Sequence, residues 1–151
     1  MKAKINRSPI FQRLLCHESI WAVKESLQFT NFQNFRNHLE ENLPQNSQYV
    51  RKRYTRSILY WFFPDRSLAT LPALVWKSYH DDGILNDIMR YLYLVREKIV
   101  ADFLLEYILS LATGTVLPDS HFEDYLKKKY DAVKKDPKKC LRFAIRDLGF
   151  I

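Results

Sequence analysis

The chain has 151 residues, 47% of them hydrophobic and 15% aromatic, which is enough to bury a single respectable core and excludes an intrinsically disordered tail. Twenty-four Lys and Arg against 17 Asp and Glu give a net charge of +7 and a pI near 9.4, which favours anionic partners. Two cysteines, Cys16 and Cys140, are too few for a disulfide framework and too distant for a local metal knuckle, so reduced thiols in a cytoplasm are expected.

Only three glycines and six prolines punctuate the chain, and most fall where a helix would begin or end. An all-α, compact multi-helix bundle with short connections is therefore expected, as one domain over 1–151 with lobes 8–63 and 64–151 as its finer division. The N-terminus has no apolar run suited to a signal peptide, and residues 1–9 read as an arm ending at Ser8-Pro9. Ile10 to Phe29 gives one helix, or two broken near His17, with Phe11, Leu14, Leu15, Ile20, Trp21 and Leu27 inward. Asn31 is positioned to cap a helix from Phe32 to Leu43 whose stripe is Phe32, Phe35, Leu39 and Leu43, and Pro44 stops it.

Asn46 or Ser47 begins the next helix, which runs to Phe63 before Pro64. Leu68 to Tyr79 follows, with Pro72 in its first turn and Leu71, Leu74, Val75 and Tyr79 inward. His80-Asp81-Asp82-Gly83 reads as a turn in which the glycine ends that helix. Ile84 to Val95 carries the stripe Ile84, Ile88, Tyr91, Leu92 and Val95. Ile99 to Ala112, too short for a bilayer and bearing Asp102 and Glu106, is expected to be the most buried helix. Residues 113–118 form a β-prone, extended connector. Ser120 and Glu123 have capping-box spacing for a helix from His121 to about Val133, and Asp136 is placed to cap a last helix from Pro137 to Leu148. The inward stripe of that last helix is Leu141, Ala144, Ile145 and Leu148, with Gly149 just past its end.

The stretch from Asn46 to Phe63 is the most telling. At 3.6 residues per turn, Val50, Tyr54, Ile58, Trp61 and Phe62 share one side, while Tyr49, Lys52, Arg53, Arg56 and Tyr60 share the other. Residues 51–100 carry nine basic and five acidic groups, over half of the whole surplus. Tyr49, Arg51, Lys52, Arg53, Arg56 and Tyr60 are accordingly the expected nucleic-acid-binding residues: cations for phosphate oxygens, and tyrosines to stack or hydrogen-bond. An ordinary solvated helix face would carry the same residue types.

A second basic region, Lys127-Lys128-Lys129, Lys134-Lys135, Lys138, Lys139, Arg142 and Arg146, is interleaved with Asp119, Glu123, Asp124, Asp131, Asp136 and Asp147, so local neutralisation is expected there. His80-Asp81, with His38 upstream and Asp124, Asp131 or Asp136 downstream, is similar in order to the metal set of HD phosphohydrolases, but the dipeptide is common and reads as well as a helix end. No phosphate loop, G-x-S-x-G or H-E-x-x-H occurs.

Four stretches, NSQYVRKRYTRSILYWFFPDRSLATLPALVW, LNDIMRYLYLVREKIVADFLLEYI, HFEDYL and KCLRFAIRDLGFI, together resemble the BrxA family of bacterial BREX phage-defence systems over roughly residues 8–151. The resemblance implies a helical fold similar to the NusB RNA-binding proteins, no catalytic activity, and binding of double-stranded DNA. The expectation is a cytoplasmic, non-enzymatic protein without cofactors that binds duplex DNA with low sequence specificity. It would be neither membrane-bound nor confined to DNA, since other defence proteins are expected partners. An adaptor docking its basic helix on an acidic protein, and an HD-type metal phosphohydrolase, are the alternatives.

Overall fold

The computed structural model describes residues 12–129 and 135–151, with backbone alone for 135–137. Every regular element among them is helical: α1 (Cys16–Ser26), α2 (Phe32–Asn42), α3 (Gln48–Phe62), α4 (Leu71–Tyr79), α5 (Asp82–Arg96), α6 (Lys98–Glu106), α7 (Asp119–Lys129) and α8 (Lys135–Asp147), with 3-10 turns at Pro64–Arg66 and Ile108–Ser110. The N-terminal arm, Phe11, Asp131, Val133 and Lys134 lie outside the described residues. The chain divides into two compact units, one of residues 15–96 and one of residues 97–151 with the described part of 1–14. No helix among the described residues is long and apolar enough to cross a membrane.

The first unit is assembled around α1. Ser19, Ala22, Val23 and Ser26 recur at i, i+3, i+4 and i+7 and are all buried, so α1 offers one narrow face of small side chains. Each of α2, α3, α4 and α5 contacts this helix. Of the expected stripe of large residues, Leu14 and Leu15 are buried just ahead of the helix, but the part that falls on α1 and beyond is displaced. Ile20 and Trp21 are half-buried and Leu27 is exposed, because the crowded centre has room only for small groups. Trp21 instead stacks on His38 of α2, ring centroids 5.6 Å apart. The helix starts at Cys16, without a side-chain cap, so Ile10 to Phe29 is not helical throughout.

α2 begins as expected, with Asn31 Oδ1 accepting from the amide of Asn34 at 3.0 Å. Phe35, Leu39 and Leu43 are buried and Phe32 is half-buried. α3 buries Ile58, Trp61 and Phe62, with Thr55, Ser57 and Leu59 widening the buried arc towards its end, while Val50 and Tyr54 are half-buried. Its start is not capped by a side chain: Ser47 is extended, and its hydroxyl bonds no amide of the first turn. Trp61 meets Tyr93 of α5 edge-on at 5.0 Å, and Phe35 meets Phe63 at 4.9 Å.

In the α4–α5 hairpin the apolar stripes face differently from expectation. α4 starts at Leu71, with the Thr70 hydroxyl accepting from the Ala73 amide, and buries Pro72 and Ala73 while Leu71, Leu74 and Tyr79 are exposed. Trp76 fixes this rotation by turning towards α1, where Lys24 Nζ lies 4.1 Å from its ring centroid. His80, with φ of 49°, takes the left-handed position that ends α4; Gly83 lies inside the first turn of α5. Asp81 makes that possible by accepting from the Ile84 amide at 2.9 Å and starting α5 two residues early. α5 buries Leu85, Met89 and Tyr93, which leaves Ile84, Tyr91 and Val95 exposed. Because α4 and α5 pack on α1 and α3, residues 64–96 belong with the first unit.

In the second unit Phe103 is the hub, 5.2 Å from Phe122, 5.2 Å from Tyr107 and 4.9 Å from Tyr125 between ring centroids. α6 buries Val100, Phe103 and Leu104 but exposes Leu105, and it stops at Glu106; it is a one-sided helix and not the most buried of the chain. Residues 113–118 form a loop without strand. The expected capping box is absent. α7 begins at Asp119, and Glu123 is drawn to Lys127 at 2.6 Å and Lys138 at 3.4 Å instead of reaching back. α8 starts at Lys135, so Asp136 is within it and not before it. Leu141, Ala144, Ile145 and Leu148 are buried as expected. Gly149, at φ of 84°, closes the helix with Gly149 N–H donating to Arg146 O at 2.9 Å and Phe150 N–H to Ile145 O at 3.2 Å.

Two outcomes test this packing. Ala22→Leu should lower stability by about 1–3 kcal/mol, read from the urea midpoint, since no neighbouring helix can retreat. Glu123 is held below its ordinary value of 4.5 by the hydrogen bond and charge of Lys127 and then of Lys138, and Lys127 is raised in return. A lowered carboxyl stabilises the fold above its unfolded value and loses that contribution as pH falls through the lowered value. The melting temperature of wild type should thus exceed that of Glu123→Gln at neutral pH, and the gap should close below pH 4.5.

Candidate nucleic-acid interface

α3 contains no acidic residue from Gln48 to Phe62. Tyr49, Lys52, Arg53, Arg56 and Tyr60 recur at i, i+3, i+4, i+7 and i+11, and burial of Ile58, Trp61 and Phe62 on the other side turns this stripe to solvent. All five side chains are exposed, Tyr49 at 69%. The structure therefore brings together five of the six residues expected to form the interface.

Arg51 is placed otherwise. Two positions on from Tyr49, it lies about 200° around the helix and faces α2. Its Nε donates to Glu40 O at 2.9 Å, and its Nη1 donates to Gln45 O at 2.7 Å and Asn46 O at 3.2 Å. Glu40 O is one of the last carbonyls of α2, which have no partner within their own helix. Arg51 thus satisfies the end of α2 and braces the turn into α3, and most of its donors are committed there.

Among the described residues no carboxylate lies within ion-pair distance of Lys52, Arg53 or Arg56. The second basic region is the opposite case. Lys127 and Lys138 pair with Glu123, Lys129 with Glu106 at 2.5 Å, Arg142 with Asp119 at 2.9 Å and Arg146 with Asp147 at 3.5 Å. Lys134 and the side chain of Lys135 lie outside the described residues.

One residue joins the α3 face that the sequence did not single out. Arg96, at the end of α5, lies with its guanidinium carbon 5.5 Å from the ring centroid of Tyr60. The Trp61–Tyr93 contact sets the two helix ends side by side and so brings it there. No local pattern announces this, because Arg96 reads only as a basic residue at a helix C-terminus.

The histidines of the HD-like set are engaged elsewhere. His38 Nε2 is 2.8 Å from Glu25 Oε2, and its ring stacks on Trp21; His80 packs 5.5 Å from the Trp76 ring; Asp81 caps α5. Among the described residues no three His, Cys, Asp or Glu side chains are placed to hold a metal ion. Asp131 and the side chain of Asp136 lie outside them.

The two kinds of cation on α3 separate in one experiment. Arg51→Ala should lower stability by about 1–2 kcal/mol in urea denaturation, because part-buried carbonyls at the α2–α3 turn lose a charged donor. Lys52→Ala should stay within about 0.5 kcal/mol of wild type.

Comparison with protein-family models, with curated proteins and with solved structures finds no match to this chain.

Proposed function

We propose that the exposed face of α3 binds the phosphate backbone of duplex DNA, without catalysis and with little sequence specificity, in the cytoplasm as a component of a bacterial BREX phage-defence system. The observation that carries this is electrostatic. Lys52, Arg53 and Arg56 stand on one exposed stripe with no described carboxylate to neutralise them, whereas the C-terminal cations are largely paired. The resemblance to the BrxA family supports the choice of duplex DNA and of defence proteins as further partners.

Lys52, Arg53, Arg56 and Arg96 supply the charge for phosphate oxygens. Tyr49 and Tyr60 add hydroxyl donors and ring faces at the two ends of the stripe, and no cofactor is required. Cations that meet phosphates fix position without distinguishing bases, hence the low specificity. The first-turn amides of α3 receive no bond from the Ser47 side chain, so the positive end of the helix dipole is open to an anion. Arg51 contributes through the brace at the α2–α3 turn, which holds the stripe in place.

Binding to a labelled random duplex across a salt series, with single-stranded DNA and duplex RNA alongside, tests this. Four phosphate contacts predict that log K falls against log salt with a slope of about −3 to −4. Arg53→Glu with Arg56→Glu should shrink that slope by about 2 and weaken binding strongly, with the melting temperature within a few degrees of wild type. Unchanged affinity in this variant moves the site off α3. Absence of binding to every nucleic acid at low salt favours the adaptor role, in which the same face meets an acidic protein.

A further inference from the structure

α8 carries an aromatic side chain on the side where an amphipathic helix ordinarily carries polar ones. Its buried row is Leu141, Ala144, Ile145 and Leu148, and Phe143 stands about 150° around the helix from the centre of that row. Lys139, Phe143 and Arg146 recur at i, i+4 and i+7 and so share this outer face. Phe143 is half-buried there, with cations set against its ring. The guanidinium carbon of Arg146 lies 4.7 Å from the ring centroid, that of Arg13 5.4 Å, and Lys139 Nζ 5.7 Å. Arg13 comes from the segment ahead of α1, which belongs to the same compact unit as α8.

Like charges gathered around one ring repel, and the described carboxylates offset only part of that repulsion. Asp147 Oδ2 is 2.9 Å from Arg13 Nε, whereas its Oδ1 is 3.5 Å from Arg146 Nη2. Lys138 and Arg142 have Glu123 and Asp119 as partners, but no described carboxylate lies within ion-pair distance of Lys139. Three cations against one acid leave a surplus of two positive charges on this face. A ring attracts cations through its quadrupole and does not cancel their charge as a carboxylate does. Phe143 thus gathers the three side chains while leaving them able to attract an anion, and Arg96 over Tyr60 is held in the same way beside α3.

We infer that the outer face of α8 is a second contact for nucleic-acid phosphates, with Lys139 and Arg146 as the donors and Phe143 as the positioning residue. The choice of nucleic acid as ligand rests on the reading of α3; the site itself rests on the cluster. Duplex DNA presents one negative charge per about 1.7 Å of its axis, so it answers a compact positive surplus in any register. Carboxylates on a folded protein would have to be matched one by one. The guanidinium of Arg146, 51% exposed, offers a planar fork suited to phosphate oxygens, and exposed Lys139 adds a point charge one turn or two away. Long side chains already gathered by a ring lose less freedom when a ligand arrives.

Binding that survives loss of the α3 contact tests this. The full chain carrying Arg53→Glu with Arg56→Glu should still hold a labelled random duplex at low salt. Adding Lys139→Glu with Arg146→Glu should weaken that residual binding about tenfold or more and shrink its salt slope by about 2, with circular dichroism unchanged because both side chains are exposed. Phe143→Leu keeps every charge and should weaken the residual binding by about two- to fivefold, and Phe143→Tyr, which keeps the ring, should restore it. Binding abolished by the α3 changes and indifferent to Lys139→Glu with Arg146→Glu in the otherwise unaltered chain overturns this site and leaves the α3 reading standing. Binding indifferent to the α3 changes and abolished by the α8 changes supports this site and removes the α3 one. Displacement of the duplex by poly-glutamate at equal charge concentration overturns the choice of nucleic acid in favour of an acidic protein.

Discussion

The constraint on which residues 15–96 depend is the narrowness of α1. Four helices share one helix as neighbour, and they can do so only because its buried positions are Ser19, Ala22, Val23 and Ser26. Bulk then has to come from the surrounding elements. Phe35, Ile58, Trp61, Phe62, Phe63, Met89 and Tyr93 fill the space that α1 leaves, and in doing so they fix the rotation of α3 and α5. The basic stripe of α3 faces outward as the other half of that arrangement. It needs no device of its own, since a helix whose Ile58, Trp61 and Phe62 are held inward has only one way to turn Lys52, Arg53 and Arg56.

Positive charge is handled in two ways along this chain. On α7 and α8 it is consumed locally, and Glu123 alone receives two lysines. Pairs of this exposed kind contribute little to stability, but they cancel the field that a distant anion would sense. On α3 the sequence simply omits acids for fifteen residues, and the neighbouring α5 adds Arg96 where an acid could have stood. Net charge is thus a poor guide to where an anion would settle; the arrangement of carboxylates decides it.

The features legible in the sequence were those written by a single strong local cause. Asn31 caps α2 because its side chain reaches its own third amide, and Gly149 ends α8 because few other residues adopt its torsions cheaply. The face of α3 was legible because its exposed cations and its buried apolar residues fall on opposite sides, Arg51 alone among the cations lying with the latter. α4 and α5 misled because apolar residues cover more than half of their circumference, so periodicity could not say which stripe is inward, and the answer lay with Trp76 and Tyr93. The buried row of α1 was invisible for the opposite reason, since two of its four residues are serines and carry no apolar signal. Glu123 and Arg51 had the right spacing for one role and took another, because a better partner lay in a neighbouring element.

Arg51 also divides a run of cations that looks uniform into two classes of tolerance to change. At positions 52, 53 and 56 a point charge at the end of a flexible stem is all that the proposed phosphate attraction needs, so under that proposal lysine and arginine are interchangeable there to a first approximation. At position 51 the requirement is a planar fork whose separate nitrogens reach the carbonyls of Glu40, Gln45 and Asn46 at once. A lysine there would keep the charge but lose the geometry, with one compact ammonium group in place of two donors set apart by a rigid plane. The same charge within three adjacent residues is therefore an architectural part in one place and an electrostatic one in the next.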